Sequence, residues 1–329
     1  MGENILNVAL LMGGDSGEYE VSIGSGNVVL KSLDKSRYRV FPILVRNSQF
    51  SFTDDSGKTY PVDLNDFSLQ LEIEKVNFEY AYIAVHGTPG EDGKIQGYLD
   101  LKHIPYSSCD LTTSAITFDK YFCNDLAIRY GANVPETILL RKGEAIDFNA
   151  VELRMGYPCF VKPNRSGSSV GVSKAYLRTE LERAIEQAFE IDTQVLVQQF
   201  IKGREIACGV FEKDGEVIVL PVTEIVSKKD FFDYEAKYTA GMADEITPAP
   251  ISEKEETECR KMTAELYRSF NCKGVVRFDY FLSGDKWWFL EVNTVPGFSE
   301  GSIVPKQAKA AGYSLQDFFG MLIENTRNK

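Results

Sequence analysis

The chain has 329 residues, with 36 Lys plus Arg against 48 Asp plus Glu, a formal net charge of −12. With 43% hydrophobic and 26% charged residues, it excludes a disordered, collagenous or disulfide-scaffold protein. Its acidity disfavours nucleic acid as a partner, no apolar run approaches the ~18 residues of a membrane span, and the N-terminus lacks a basic signal region. Six scattered cysteines and two histidines offer neither a zinc knuckle nor a multi-histidine metal site, and they suit a reducing cytoplasm.

Asn4–Met12 is an apolar run halted by Gly13-Gly14, which predicts a buried strand and turn. A helix follows through Val28, Val29 and Leu33. Tyr38–Val45 and Tyr80–Val85 are further strands, so the first part reads as an open, mostly parallel α/β sheet. Asp119–Tyr130 predicts a helix, and Glu136–Leu140, Tyr157–Lys162 and Gln194–Phe200 predict strands. Thr179 with Glu182 forms the pattern of a capping box for a helix with Leu181, Ile185 and Phe189 inward. Arg204–Phe211 and Glu216–Thr223 flank Lys213-Asp214-Gly215 as a hairpin. Lys228–Thr247 is aperiodic and reads as a long loop, a common form for a lid. Ser252 and Glu255 cap a helix, Gly274–Leu282 and Trp287–Asn293 form a second hairpin, and Leu315, Phe318 and Leu322 mark a last helix. Three domains are expected, 1–110, 111–200 and 201–329, the last carrying a lid at about 227–247.

The common nucleotide motifs fail. Gly57-Lys58-Thr59 has Phe52 where a P-loop needs glycine, and Gly24-Ser25-Gly26 lacks the third glycine of a dinucleotide fingerprint. The loop from Lys162 to Ser173 is richer: Ser166, Gly167, Ser168, Ser169 and Gly171 follow a lysine that ends a strand. Small residues let backbone N–H groups approach a phosphate, although an ordinary hairpin loop has a similar composition. Arg277 and Asp279 share one strand face, as do Glu291 and Asn293 on the next strand. In a suitable register Asp279, Glu291 and Asn293 converge as hard oxygen ligands suited to Mg²⁺, and the apolar neighbours favour a metal over a solvated polar face. Gly297 and Ser302 follow at once, and they suit either an oxyanion and carboxylate site or a plain connection. His86 and Glu18 sit just after strands, where open α/β sheets bind ligands; Glu18 could hold an ammonium, and His86 is as readily structural as catalytic.

The segments GGDSGEYEVS (13–22), HGTPGEDGKIQG (86–97), FDK (118–120), KPNRSGSSVGVSK (162–174), DYEAKY (233–238), RFD (277–279) and EVNTVPGFSEGS (291–302) occur in one order. Together they resemble the D-alanine–D-alanine ligases of the ATP-grasp superfamily over nearly the whole chain. The resemblance implies a three-domain ATP-grasp fold, in which the central and C-terminal α+β domains grip ATP. It implies that ATP phosphorylates the carboxylate of one D-alanine and that the amine of a second D-alanine attacks the acyl phosphate, giving the dipeptide of the peptidoglycan precursor.

Roles follow by position. Glu18 would bind the first ammonium and join Ser168 and Tyr238 in a triad closing the lid. Lys120, Lys162 and Lys237 would meet the phosphates, with Ser169 over them. Asp279, Glu291 and Asn293 would hold two Mg²⁺ (or Mn²⁺) ions. Arg277 and the N–H of Gly297 would stabilise the oxyanion, Ser302 would take the second carboxylate, and His86 would line the first pocket. Gln198, Gln199, Phe200 and Ile201 would read adenine through the backbone, and Glu205 would bind ribose. Gln198-Gln199 departs from the glutamate common there, Phe231-Phe232 from a Phe-Tyr pair, and Ser107–Asp110 from a glycine-containing turn. Tyr238 favours D-alanine over D-lactate as second substrate. The resemblance also implies a cytoplasmic homodimer. A ligase with another second substrate, and a non-catalytic ATP-binding module, are the alternatives; the complete set of metal and oxyanion residues weighs against the module.

Overall fold

The structure, a computed structural model, describes residues 5–227 and 243–327. The first part comprises β1 (Leu6–Gly13), α1 (Tyr19–Ser32), β2 (Tyr38–Arg46), β3 (Gln49–Thr53), β4 (Thr59–Asp63), β5 (Ser68–Gln70), β6 (Lys75–Asn77), β7 (Tyr80–Ile83) and α2 (Lys94–Leu101). The sheet order is β6-β5-β4-β3-β2-β1-β7. Central β1 is buried at every position except Asn7, which explains its near-continuous apolar run: it is parallel to both neighbours and covered on both faces. The parallel part is limited to β2-β1-β7. An antiparallel meander, β3 to β6, extends it, and the short, polar strands of that meander carry little sequence signal.

Next come α3 (Leu111–Phe118), α4 (Lys120–Arg129), β8 (Thr137–Arg141), α5 (Phe148–Met155), β9 (Cys159–Pro163), β10 (Ser173–Ala175), α6 (Arg178–Ile191) and β11 (Gln194–Gln199). The four strands form an antiparallel sheet, β10-β9-β11-β8. Its core packs Val161, Val195 and Val197 against Leu181 and Ile185 of α6. The expected helix around 119–130 has a partner, α3, whose N-cap Asp110 accepts from Thr113 N–H at 2.8 Å. The Thr179–Glu182 capping box is not formed. The helix begins earlier, with Leu177 at the N-cap and no side-chain cap, and Glu182 instead pairs with Arg178 at 2.7 Å.

The last part contains β12 (Arg204–Lys213), β13 (Glu216–Val219), β14 (Thr223–Ser227), β15 (Ala243–Ile246), α7 (Glu253–Ser269), β16 (Val276–Ser283), β17 (Lys286–Asn293), α8 (Ile303–Ala310) and α9 (Leu315–Arg327). The sheet runs β15-β14-β12-β16-β17, with β13 paired to the far end of β12. The end of the expected 228–247 loop is thus a strand. Its residues, Ala-Asp-Glu-Ile, show no alternation, and their pairing with β14 is a tertiary contact. The Ser252–Glu255 capping box is present: Ser252 N–H donates to Glu255 Oε2 at 2.7 Å and Glu255 N–H donates to Ser252 Oγ at 3.3 Å. Phe318, Phe319, Leu322 and Ile323 of α9 join the core of the first sheet, so the chain closes back on its beginning.

One buried amide fixes α8. Between β13 and β14, the edge of β12 away from β16 lacks a strand partner, and the Gln307 side chain takes that place. Its Oε1 accepts from Gly209 N–H at 3.0 Å, and its Nε2 donates to the Ala207 carbonyl at 2.9 Å and to Thr223 Oγ1 at 3.0 Å. A Cβ at Gly209 would stand 2.4 Å from Gln307 Oε1, so only glycine admits this contact. Replacing Gln307 by Leu orphans a buried N–H and a buried carbonyl. The expected loss is about 2–5 kcal/mol in urea unfolding, and a loss under about 1 kcal/mol would show that the amide is dispensable.

Candidate active site

The β16–β17 hairpin sets the acidic side of the site. Arg277 lies opposite Asn293 and Asp279 opposite Glu291, so all four side chains share one face. The register then shifts: Tyr280 pairs with Phe289, leaving Leu290 as the extra residue of a bulge. A bulge of this kind re-aims side chains, and here Leu290 and Glu291 both line the cleft. Asp279 is only 3% exposed. It accepts from Arg277 Nε at 2.8 Å and Nη2 at 2.7 Å, and from Asn293 Nδ2 at 3.0 Å. Burial opposes the charge on Arg277, but Asp279 outweighs it and holds the guanidinium protonated beyond its ordinary range. Glu291 lies 3.6 Å from Lys120 Nζ. Two carboxylates and an amide on one face suit a hard divalent cation. Among the described residues no group of three His, Cys, Asp or Glu forms a cage, so the amide is needed to complete the set.

The basic side comes from the central sheet. Lys162 on β9 is 6% exposed, and burial, then Lys120, push its ammonium down to about 8. Lys120 donates to the Ser166 carbonyl at 2.6 Å, which ties α4 to the glycine–serine loop. Ser168 and Ser169 both take left-handed backbone, φ +49° and +59°. Ser168 Oγ donates to Glu18 Oε1, bringing the loop onto the start of α1. A Cβ on Gly167 would lie 2.2 Å from Glu18 Oε2, so this approach requires glycine. A cleft of about 740 Å³ is lined by Lys120, Lys162, Ser168, Ser169, Gln198, Gln199, Phe200, Ile201, Glu205 and Glu291. Lys174, Glu224, Phe281 and Leu290 line it too, and the sequence reading did not single them out as site residues. Lys174 stands 4.2 Å over the Phe200 ring. Of the expected residues, Lys237 and Tyr238 lie outside the described residues.

The remaining residues sit where the first sheet meets the 294–302 segment. His86 is buried, and its Nδ1–H donates to the Val295 carbonyl at 2.7 Å. In the neutral ring Nε2 then accepts from Ser25 Oγ at 2.8 Å, while Ser25 Oγ accepts from Phe298 N–H at 3.0 Å. Burial holds this imidazole below its ordinary range, consistent with that neutral form. Gly297 and Ser302 are adjacent: a Cβ on Gly297 would be 2.8 Å from Ser302 Oγ. Ser302 is the N-cap of α8 but does not cap it, and its hydroxyl pairs with Ser299 Oγ at 2.7 Å.

Two residues beyond the sequence reading tie distant segments together, Asn164 joining α4 to β11 and Glu91 at this junction. Asn164 is fully buried; its Oδ1 accepts from Tyr121 N–H and its Nδ2 donates to Gln194 Oε1. Glu91 accepts from Gly87 N–H at 2.8 Å and Val295 N–H at 3.2 Å, bridging two loops. Both stand in segments the sequence marks, but their partners lie far along the chain. Glu91, Lys120, Gly167, Glu291 and Asn293 surround a space of about 30 Å³ where the acidic and basic sides meet.

Burial, then the neighbouring Glu18, push the Glu91 carboxyl up to about 8 against its two backbone donors. A raised carboxyl stabilises the fold below its unfolded pKa, and that contribution is lost as pH rises from about 4.5 to about 8. The stability difference between wild type and Glu91→Gln should therefore fall steadily from pH 5 to pH 8 in urea titrations. A difference independent of pH would mean that Glu91 ionises alike in both states.

Comparison with known proteins places the chain in a family. Residues 7–109 match the family described as D-ala D-ala ligase N-terminus, and residues 126–324 match D-ala D-ala ligase C-terminus. A D-alanine–D-alanine ligase of Bacteroides fragilis is 41% identical over 320 residues, covering 97% of this chain and 98% of its own. The solved structure of the VanG D-Ala:D-Ser ligase from Enterococcus faecalis aligns with a TM-score of 0.89 at 31% identity, over 98% of this chain and 100% of that one. The D-alanine–D-alanine ligase from Bacillus anthracis complexed with ATP aligns with a TM-score of 0.79 at 28% identity, over 98% of both chains. With both halves matched and a relative at this identity over almost the full length, the chain belongs to the D-alanine–D-alanine ligase family.

Proposed function

We propose that this protein joins two D-alanines at the expense of ATP, through an acyl phosphate, to supply the dipeptide of the peptidoglycan precursor. The observation that carries the reading is one cleft lined by Lys120, Lys162, the Ser168–Ser169 loop and Glu291, with Asp279 and Asn293 on the same strand face as Glu291. The family match and the solved ATP complex of a relative support ATP as the nucleotide.

In this reading Glu18 holds the ammonium of the first D-alanine, with Ser168 and Tyr238 completing a triad as the lid closes. Lys120, Lys162 and Lys237 meet the phosphates, and Ser169 covers them. The backbone of Gln198, Gln199, Phe200 and Ile201 reads adenine, and Glu205 takes the ribose hydroxyls. Asp279, Glu291 and Asn293 are the residues that would hold two Mg²⁺ or Mn²⁺ ions, which would offset negative charge on the transferred phosphoryl group. The first carboxylate attacks the γ-phosphorus and ADP leaves. The second amine, having lost a proton, attacks the acyl carbon. Arg277 and the N–H of Gly297 stabilise the resulting oxyanion, and phosphate leaves as the peptide forms. Ser302 takes the second carboxylate, and His86 shapes the first pocket through its hold on Val295.

The proposal includes domain boundaries near 110 and 200, a lid over about 227–247, a homodimer and a cytoplasmic location. Among the described residues no helix is long and apolar enough to cross a membrane. D-alanine is preferred to D-lactate in the second site on the strength of Tyr238.

Phosphate release from ATP and Mg²⁺ should depend on D-alanine when D-alanine, D-serine, D-lactate and L-alanine are compared, with D-alanyl-D-alanine as the product. Release that ignores D-alanine would refute the activity. Asp279→Asn keeps the size of the side chain but loses its charge and its grip on Arg277. It should lower kcat by about 10²-fold or more with the fold intact by circular dichroism, and near-normal turnover would remove the metal assignment.

A further inference from the structure

Lys306 is a cation that the reaction as derived above does not use, and strand register sets its surroundings. Glu245 on β15 lies opposite Ile225 on β14, and Ile225 lies opposite Glu205 on β12. Two residues along β12, Ala207 lies opposite Asp279 on β16, and Asp279 lies opposite Glu291 on β17. Residues directly opposite, or two apart along a strand, share a face. Glu245 therefore stands on the face that carries Asp279 and Glu291, at the other edge of the same sheet. Helix α8 packs on that face, where Ile303 joins Ala207 and Ile225 in a small apolar cluster. From α8, Lys306 Nζ reaches Glu245 Oε2 at 2.9 Å, with 40% of the lysine side chain and 22% of the glutamate side chain exposed.

A lysine at this position works against the helix. It is the fourth residue of α8, near the end where the peptide dipoles present positive charge and favour an anion. Its N–H donates to the Ser302 carbonyl at 3.3 Å, which places it one turn beyond Ser302. Side chains four apart share a helix face and lean toward the N-terminus, so Lys306 lies on the Ser302 side of α8. The Ser302 hydroxyl is not used to cap the helix. A helix N-terminus, a hydroxyl and an ammonium thus stand on one side of α8, and together they suit a carboxylate. Glu245 holds the ammonium meanwhile. A pair exposed to this degree is worth only about 0.2–1 kcal/mol, so an incoming carboxylate competes for the lysine at small cost.

We propose that Lys306 binds the carboxylate of the second amino acid beside Ser302, and that Glu245 is the partner it gives up as that substrate arrives. The inference rests on the reading of the Gly297–Ser302 corner as the second-substrate site. It makes the two partners act with opposite sign. Loss of the Lys306 charge weakens the second substrate, and loss of the Glu245 charge strengthens it. An ion pair that only stabilises the fold would give the same sign for both.

The test is the initial rate of phosphate release by the full chain at saturating ATP and Mg²⁺. D-alanine is varied widely enough to resolve separate KM values for the first and second molecules, in wild type, Lys306→Met and Glu245→Gln. Lys306→Met should raise the second KM about tenfold, with the first KM unchanged. Lys306→Arg should restore it to within about threefold of wild type. Glu245→Gln should lower the second KM about two- to threefold. An unchanged second KM in Lys306→Met overturns the proposal, as does a rise in both KM values together. A second KM that fails to fall in Glu245→Gln overturns it too, and this arm carries the test alone if Lys306→Met does not fold. A wild-type protein whose phosphate release ignores D-alanine would bring down the ligase reading itself, whereas normal wild-type kinetics with unaffected variants remove this inference alone.

Discussion

A carboxylate buried in a sheet is costly unless its oxygens are occupied, and Asp279 is buried where β16 meets β17. Arg277 and Asn293 supply the donors, and the antiparallel register that sets Arg277 opposite Asn293 and Asp279 opposite Glu291 puts all four on one face. The rest of the site depends on this arrangement. The bulge after Asp279 returns Phe289 to the core while Glu291 and Leu290 face the cleft, so an apolar strand also delivers a ligand face. Without that extra residue, a strict alternation would place Glu291 and the core aromatics in conflict.

The second requirement is that three sheets present their groups to a common space. Hydrogen bonds between distant segments do this. His86, Ser25 and Glu91 pin the 295–298 segment to the first sheet, and Gln307 pins the helix that follows it to β12. Ser168 reaches Glu18 at the start of α1, and Gly167 permits the approach. Each contact alone is a modest term, but together they hold the Gly297–Ser302 corner, the lysine cleft and the Asp279 face in one frame. Positioning to this degree is what an acyl transfer through a charged intermediate demands.

Much of this was legible in order along the chain. The paired positions 277/279 and 291/293 are a local consequence of strand geometry, and the hairpin turn between them is short. The Ser252–Glu255 cap and the strand of 6–13 likewise need only neighbouring residues. Glu91 was not legible as a junction residue, because its partner Val295 lies 204 positions away, and the link that Asn164 makes between Tyr121 and Gln194 is likewise tertiary. The Thr179–Glu182 pattern failed for the related reason that a neighbour, Arg178, captured Glu182 once the helix began earlier. Strand β15 has no periodic signature and exists because β14 offers it an edge.

By itself, the sequence determined the chemistry: which lysines, carboxylates, glycines and hydroxyls are present, and at what spacing along strands and loops. Those are properties of covalent order and of the two-residue repeat of an extended chain. Tertiary structure alone decided which of these groups face one another, that Lys162 meets an amide while Lys120 meets a carboxylate, and that His86 has both ring nitrogens engaged. Such pairings depend on register, bulges and the docking of separate sheets, where the burial of many apolar groups outweighs any local preference.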